Sequence, residues 1–250
     1  MQNLPDAHFG SGTLIREDAL REWEVAAAMR RMAANQSEPV LYLLAPEISV
    51  LLNYVHDLRR HVHFQTMWNT GARPNEALAL TPSSFVLDGP RPHVIIRTLK
   101  QRNRSPGRPG KNEQVKRVVP LLDPGYVRMM RQFLATFAVG AGKPLWSESP
   151  DTVARWLQEA IEEANRDGVT FTIHITPHTF RHSFAMHLLF NRVHEKTLQV
   201  YLGHKYLTST ARYTRLFALD IGAQHRVSFS WDSDLAVRAL RDHSITGLLE

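Results

Sequence analysis

Five side chains in this sequence have the types and placement to do chemistry: Arg73, His178, Arg181, His204 and Tyr213. Four of them fall in Thr176–Tyr213, which opens T-P-H-T-F-R-H-S-F-A-M-H-L-L and closes Y-L-G-H-K-Y-L-T-S-T-A-R-Y. The mixture suits attack on a phosphodiester. Such a transition state gathers negative charge on the non-bridging oxygens, so fixed cationic donors are needed. Arginine meets that need because its planar fork holds two oxygens at once and keeps its proton. A tyrosine can become covalently attached once its phenol, with an ordinary pKa of about 10, is deprotonated. A histidine or lysine within hydrogen-bond reach can protonate the departing 5′-oxygen. Each residue alone has a plainer reading: Arg73 as a loop arginine paired with Glu76, Tyr213 as a structural tyrosine. Only the set reverses those readings.

The elements that must position these groups follow from local signals. Gly71 ends one helix and Pro74 opens the next, leaving Arg73 in the tight connection with Glu76 one turn on, where it can brace Arg73. Upstream, Pro46 marks a first turn. Leu51, Leu52, Val55 and Leu58 read as one helical stripe, and a second helix is predicted over Val62–Trp68. Downstream, His93–Ile96 and Val115–Val119 are β-branched and fenced by prolines, predicting a hairpin with a long tip from Gln101 to Asn112. Asp123-Pro124 and Ser149-Pro150 open two helices, the second ended by Gly168. Val169–Ile175 is β-like and short. From Pro177 a helix begins, with Phe180, Phe184 and Leu188 facing a core. Another ends at Leu202-Gly203, and Thr208 and Ser209 cap the segment that carries Tyr213. The expected fold class is therefore mainly α with a small antiparallel β-sheet or hairpin (α+β).

Composition narrows the classes. The chain has 250 residues, 43 % of them hydrophobic, which is enough for a real core. It has no cysteine, which excludes disulfides, thiolate metal sites and a thiol nucleophile. No apolar run reaches the roughly 20 residues that span a bilayer, and no signal pattern opens the chain, so a cytoplasmic protein is expected. The formal charge is +6, but it is local. Arg97, Lys100, Arg102, Arg104, Arg108, Lys111, Lys116 and Arg117 face one acid, Glu113, so this segment carries +7 and the remainder sums to −1. A polyanion partner follows, and double-stranded DNA is the natural one, with Arg97, Arg102, Arg104, Arg108, Lys111, Lys116 and Arg117 as DNA contacts.

T-G-A-R-P-N-E-A-L-A-L, H-T-F-R-H, L-G-H and a tyrosine nine residues after that histidine together resemble the tyrosine recombinase (phage integrase) family over about residues 40–216. The finer character resembles that of plasmid-borne resolvases. The resemblance implies that family's catalytic-domain fold and a site-specific recombinase that cleaves and rejoins strands through a 3′-phosphotyrosine, in plasmid resolution or integration. It implies no metal and no cofactor, since one phosphoester replaces another. Arg73 would be the first catalytic arginine, Glu76 its support, His178 and Arg181 the H-x-x-R pair. His204 would contact the phosphate and Tyr213 would be the nucleophile. The catalytic lysine falls on the hairpin: Lys100 fits best, Lys111 competes and Lys116 fits less well. The division expected is an N-terminal arm over 1–38, mostly one helix, a catalytic domain over 39–218, and a C-terminal tail over 219–250. A helix in that tail, around Leu235–Leu240, would join protomers into a dimer or tetramer on DNA. The arm is shorter than the family's usual N-terminal clamp, so DNA affinity would come mainly from the catalytic domain and its hairpin.

Two other functions use similar residues: a topoisomerase IB-like nicking and resealing enzyme, and a DNA-binding protein with an idle site. His174, His178 and His182 are four apart, but no carboxylate completes a metal set. Tyr201 and Tyr206 are nucleophiles in principle only. His56, His61 and His63 read as surface positions.

Overall fold

The computed structural model describes residues 41–98, 115–206, 209–211 and 213. The predicted arm, the hairpin tip with Lys100, Arg102, Arg104, Arg108 and Lys111, and the tail lie outside the described residues, and with them the expected domain boundaries. The described part is mainly helical. In chain order it holds α1 (Ala45–Asn53), α2 (Leu58–Thr70), α3 (Pro74–Leu78), β1 (Phe85–Val86), β2 (His93–Arg97), β3 (Lys116–Pro120), α4 (Pro124–Phe137), α5 (Pro150–Arg166), α6 (Pro177–Phe190) and α7 (Glu195–Leu202). The strands form one antiparallel sheet in the order β1-β2-β3, with Val94 opposite Val119 and Arg97 opposite Lys116. The fold class is the expected one. No helix among the described residues is long and apolar enough to cross a membrane.

Local chemistry sets most boundaries. The Asp57, Asp123 and Ser149 side chains accept from the Arg60, Gly125 and Thr152 N–H groups, satisfying first-turn donors of α2, α4 and α5. Pro74, Pro124, Pro150 and Pro177 each open a helix with a preset φ. Gly71 ends α2 and Gly203 ends α7, at φ +60° and +63°. Both turns also need the absence of a side chain. A Cβ on Gly71 would stand 2.4 Å from the Phe184 ring, and one on Gly203 would stand 2.9 Å from Arg117 Cδ.

The core is centred where α2 crosses α6. Phe64 and Phe180 stack there with ring centroids 5.2 Å apart, and both are fully buried. Burying each ring contributes up to about 3 kcal/mol. The Leu43 N–H donates to Ser183 Oγ at 2.8 Å, which ties the entry segment to the middle of α6.

Three local expectations are corrected. The stripe ending at Leu58 is not one helix: α1 stops at Asn53, and Asp57 caps a new helix in which Leu58 is 47 % exposed. Val169–Ile175 forms no strand, having no pairing partner among the described residues. The small antiparallel sheet is as expected, with β1 a short strand beside the hairpin. His63 is not a surface residue. It is fully buried, its ring edge-on to Trp146 at 4.9 Å, and neither ring nitrogen has a hydrogen-bond partner among the described residues. Burial pushes its pKa down to about 3, so the ring is neutral.

Candidate active site

The site is built around a buried carboxylate. Glu76 sits in the first turn of α3, one turn after Arg73. Its Oε2 accepts the Arg73 backbone N–H at 3.0 Å, and its Oε1 accepts Arg73 Nη1 at 2.9 Å. From the other side, Arg117 Nη2 donates to Oε2 at 2.6 Å and Nη1 to Oε1 at 3.2 Å. Burial alone would raise the Glu76 carboxyl, but the hydrogen bonds and charges of Arg117 and Arg73 outweigh it and hold the group below the usual range. Arg117 also donates from Nε to the Tyr201 carbonyl of α7 at 2.8 Å and from Nη1 to Thr98 Oγ1 at 3.3 Å. One guanidinium thus joins α3, β3, the strand end at Thr98 and the last turn of α7.

Helix α6 supplies the second cation. Arg181 is 3 % exposed, and its Nη1 and Nη2 donate to the Gly71 and Leu202 carbonyls at 2.6 and 2.7 Å. These carbonyls close α2 and α7, so the two glycine turns set the plane of the fork. Arg181 forms no ion pair among the described residues, and burial, then Arg73 and Arg117, push its pKa down to about 9. It remains cationic at neutral pH. Three guanidiniums, Arg73, Arg117 and Arg181, therefore interact with the Glu76 carboxylate, an excess of two positive charges among these four described groups, of which Arg73 alone is partly exposed. His178, one turn before Arg181, is held neutral over a wider range than usual by burial and by the charges of Arg181 and Arg73.

The Tyr213 hydroxyl is electrostatically coupled to one member of this group, Arg181. Tyr213 is 1 % exposed, its hydroxyl 2.8 Å from His182 Nδ1, and its charge state couples to that of Arg181. The His204 ring lies parallel to the Tyr213 ring with centroids 6.4 Å apart. His204 Nδ1 is 3.0 Å from the hydroxyl of Thr210, a fully buried residue one turn before Tyr213. That contact fixes the imidazole plane and leaves Nε2 as its other polar end.

The structure thus brings Arg73, Glu76, His178, Arg181, His204 and Tyr213 into one cluster. Arg97 and Lys116 are exposed and opposite each other in the hairpin stem. Arg117 is corrected: grouped by sequence with the DNA contacts, it is buried, with its side chain 4 % exposed and its charge spent on Glu76. The signal for this was strand alternation, since Arg117 shares the inward face with Val119. His182 was weighed only as a metal ligand, yet it touches the Tyr213 hydroxyl. Its four-residue spacing from His178, on one face of a helix beside Arg181, was the available clue. Thr210 had no sequence signal beyond lying one turn before the tyrosine.

The chain is similar in sequence and in fold to known proteins. The model of the phage integrase family matches residues 42–219. A resolvase of Escherichia coli is 42 % identical over 257 residues, covering 97 % of this chain and 99 % of that protein. A second, from Escherichia coli strain K12, is 43 % identical over 238 residues, covering 89 % of each. In fold, the crystal structure of XerA recombinase superposes with a TM-score of 0.60 at 20 % identity, covering 78 % of this chain and 68 % of that one. A family match across most of the sequence, around a clustered set of its signature residues, places the chain in the phage integrase family, the tyrosine recombinases.

Proposed function

We propose that the chain is a site-specific DNA recombinase that cleaves and rejoins DNA strands through a 3′-phosphotyrosine. The observation that carries this is the uncompensated pair of positive charges beside the Tyr213 hydroxyl, which matches the charge gathered by a phosphodiester under attack. Arg181 and Arg73 grip the two non-bridging oxygens, the first with a fork held by two carbonyls and the second with a fork braced by Glu76. His204, steadied by Thr210, donates to the same phosphate, and His178 completes the donor set between the arginines. Tyr213 attacks phosphorus and the 5′-oxygen leaves, protonated by the hairpin lysine, for which Lys100 is our assignment and Lys111 the competitor. The 5′-hydroxyl of a partner strand then reverses the step, so bond energy is retained in the phosphotyrosine.

Double-stranded DNA is the partner, approached through the exposed Arg97 and Lys116 of the stem and the basic tip beyond them. The similarity to two proteins named resolvase supports resolution as the outcome. Protomers joined through the C-terminal tail, in the cytoplasm, complete the reading. The relatives named as recombinases support strand exchange over a topoisomerase-like reaction or an idle site.

The test is covalent capture. Nicked duplexes with randomised sequence are incubated with the protein, and adducts surviving SDS are sequenced and mapped by mass spectrometry. The expected result is a 3′-linked nucleotide on Tyr213, absent in Tyr213→Phe. An adduct on another residue, or one formed equally by Tyr213→Phe, refutes the assignment. Two-site plasmids built from the captured duplex then distinguish exchange from relaxation: relaxed circles without exchanged product would refute recombination.

A further inference from the structure

The contact between His182 and Tyr213 has a chemical meaning beyond shape. We propose that His182 is the base that takes the phenolic proton of Tyr213 in strand cleavage and returns it in rejoining. The inference rests on Tyr213 being the nucleophile. His182 Nδ1 lies 2.8 Å from the Tyr213 hydroxyl oxygen, within the range for direct proton transfer, and the rings are tilted by 48° with centroids 5.8 Å apart. The backbone under His182 cannot drift. Arg181 and Ser183, its neighbours in α6, are both buried, Arg181 pinned to two carbonyls and Ser183 bonded to the Thr179 carbonyl at 2.8 Å and to the Leu43 N–H. A base for this reaction needs such placement, because the tyrosine oxygen must keep one line of attack on phosphorus.

Among the described residues, the other titratable groups near the pair have contacts of their own. His204 presents its ring parallel to that of Tyr213, and its Nδ1 is taken up by Thr210. His178 faces the charges of Arg181 and Arg73. Arg181, from α6, is electrostatically coupled to Tyr213 and favours the phenolate that proton transfer creates; Arg73, which caps α3, and Arg117 of β3 add to its field. The cations make the phenol easier to ionise, and His182 gives the proton a place to go.

In cleavage, the neutral imidazole with its hydrogen on Nε2 offers the Nδ1 lone pair. The Tyr213 O–H bond breaks, its proton binds Nδ1, and the oxygen electron pair forms the O–P bond. The P–O5′ bond breaks, and the departing oxygen takes its proton from the hairpin lysine. In rejoining, the neutral hairpin lysine takes the proton of the attacking 5′-hydroxyl as the P–O5′ bond forms. The P–O bond to Tyr213 breaks, and the imidazolium at His182 returns its proton to the phenolate. Protons and charge balance without any co-reactant.

The test uses the full chain and the nicked duplex captured by the wild type. His182→Asn keeps a polar group near the hydroxyl but no basic nitrogen, and His182→Ala removes both. Single-turnover adduct formation at neutral pH is expected to fall by about a hundredfold or more in each. A polyfluorinated tyrosine at position 213, whose phenol ionises without help, is expected to restore most of the rate in His182→Asn and little of it in Arg181→Lys. Restoration by the analogue is a readout that a purely structural role would not produce. A His182→Asn rate within about threefold of wild type overturns the proposal, since it assigns His182 a hydrogen-bonding role alone. A loss that the fluorinated tyrosine leaves unchanged also overturns it, as does His182→Ala cleaving faster than wild type, which would make the contact a restraint on the nucleophile. Persistence of the adduct in Tyr213→Phe would be a separate failure, that of the nucleophile assignment itself.

Discussion

Acidification from about pH 7 to about pH 5 is expected to weaken the fold by about 2 kcal/mol through His63 alone. Unfolded, this imidazole titrates near 6.5, whereas in the fold burial among Phe64, Trp146 and Trp156 pushes it down to about 3. Between those values the unfolded chain binds a proton that the folded chain refuses. The contribution is therefore complete above about pH 6.5, drains as the pH falls, and is gone below about pH 3. The whole gap corresponds to about 5 kcal/mol, at about 1.4 kcal/mol per pH unit, and about 2 kcal/mol of it is spent by pH 5. His178 and His187, also lowered by burial, add to the acid sensitivity, so the measurement must be a difference. His63→Leu serves: its packing cost falls on both pH values alike, while the titration disappears. Urea unfolding followed by circular dichroism should show wild type losing about 2 kcal/mol more than His63→Leu between the two pH values. Equal losses would mean that the folded protein accepts the proton, and the burial argument would be refuted.

Glu76→Gln leaves the Arg117 guanidinium buried without its counter-charge and should cost about 3–5 kcal/mol in urea unfolding. The double variant Glu76→Leu, Arg117→Leu should recover most of that stability yet still form adduct slowly, because Arg73 has lost its brace; normal cleavage by the double variant would refute the bracing role. Gly203→Ala must hold a left-handed φ and press on Arg117, so a loss of at least about 1 kcal/mol together with impaired cleavage is expected, checked by the same two measurements. Neutralising Arg97 and Lys116 together should reduce the slope of log K against log salt by about 2 on duplex DNA, and an unchanged slope would place the stem away from phosphate.

The elements that were legible in the sequence are those whose signals lie within one helical turn. Asp57, Asp123 and Ser149 each accept from an N–H two or three residues on, and each proline at a first turn acts through its own φ. The hairpin stem was legible because β-branched residues met proline fences. The helix break at Tyr54–Asp57 was less so, since apolar residues on both sides of it keep a helical spacing; the Asp57 cap was the overlooked cue. The strand expected at Val169–Ile175 failed for the opposite reason. β propensity needs a neighbour to pair with, and propensity does not supply one.

The sequence by itself pointed to the chemistry: two arginines, two histidines and a tyrosine in one order and spacing read as a phosphodiester site, because each residue type has few roles there. It also determined the helix ends that present them. Only the tertiary structure decided which groups touch. Arg117 looked like one more cation in a basic run, and it became a buried strut because Glu76, 41 residues away, meets it at 2.6 Å. Arg181 takes its orientation from the Gly71 carbonyl, 110 residues upstream. His182 acquires its meaning from a tyrosine hydroxyl 31 residues on. Charges and hydrogen bonds act across ångströms, whereas spacing along a chain measures distance only within a turn or a strand pair, so contacts of this kind exist once the fold has closed.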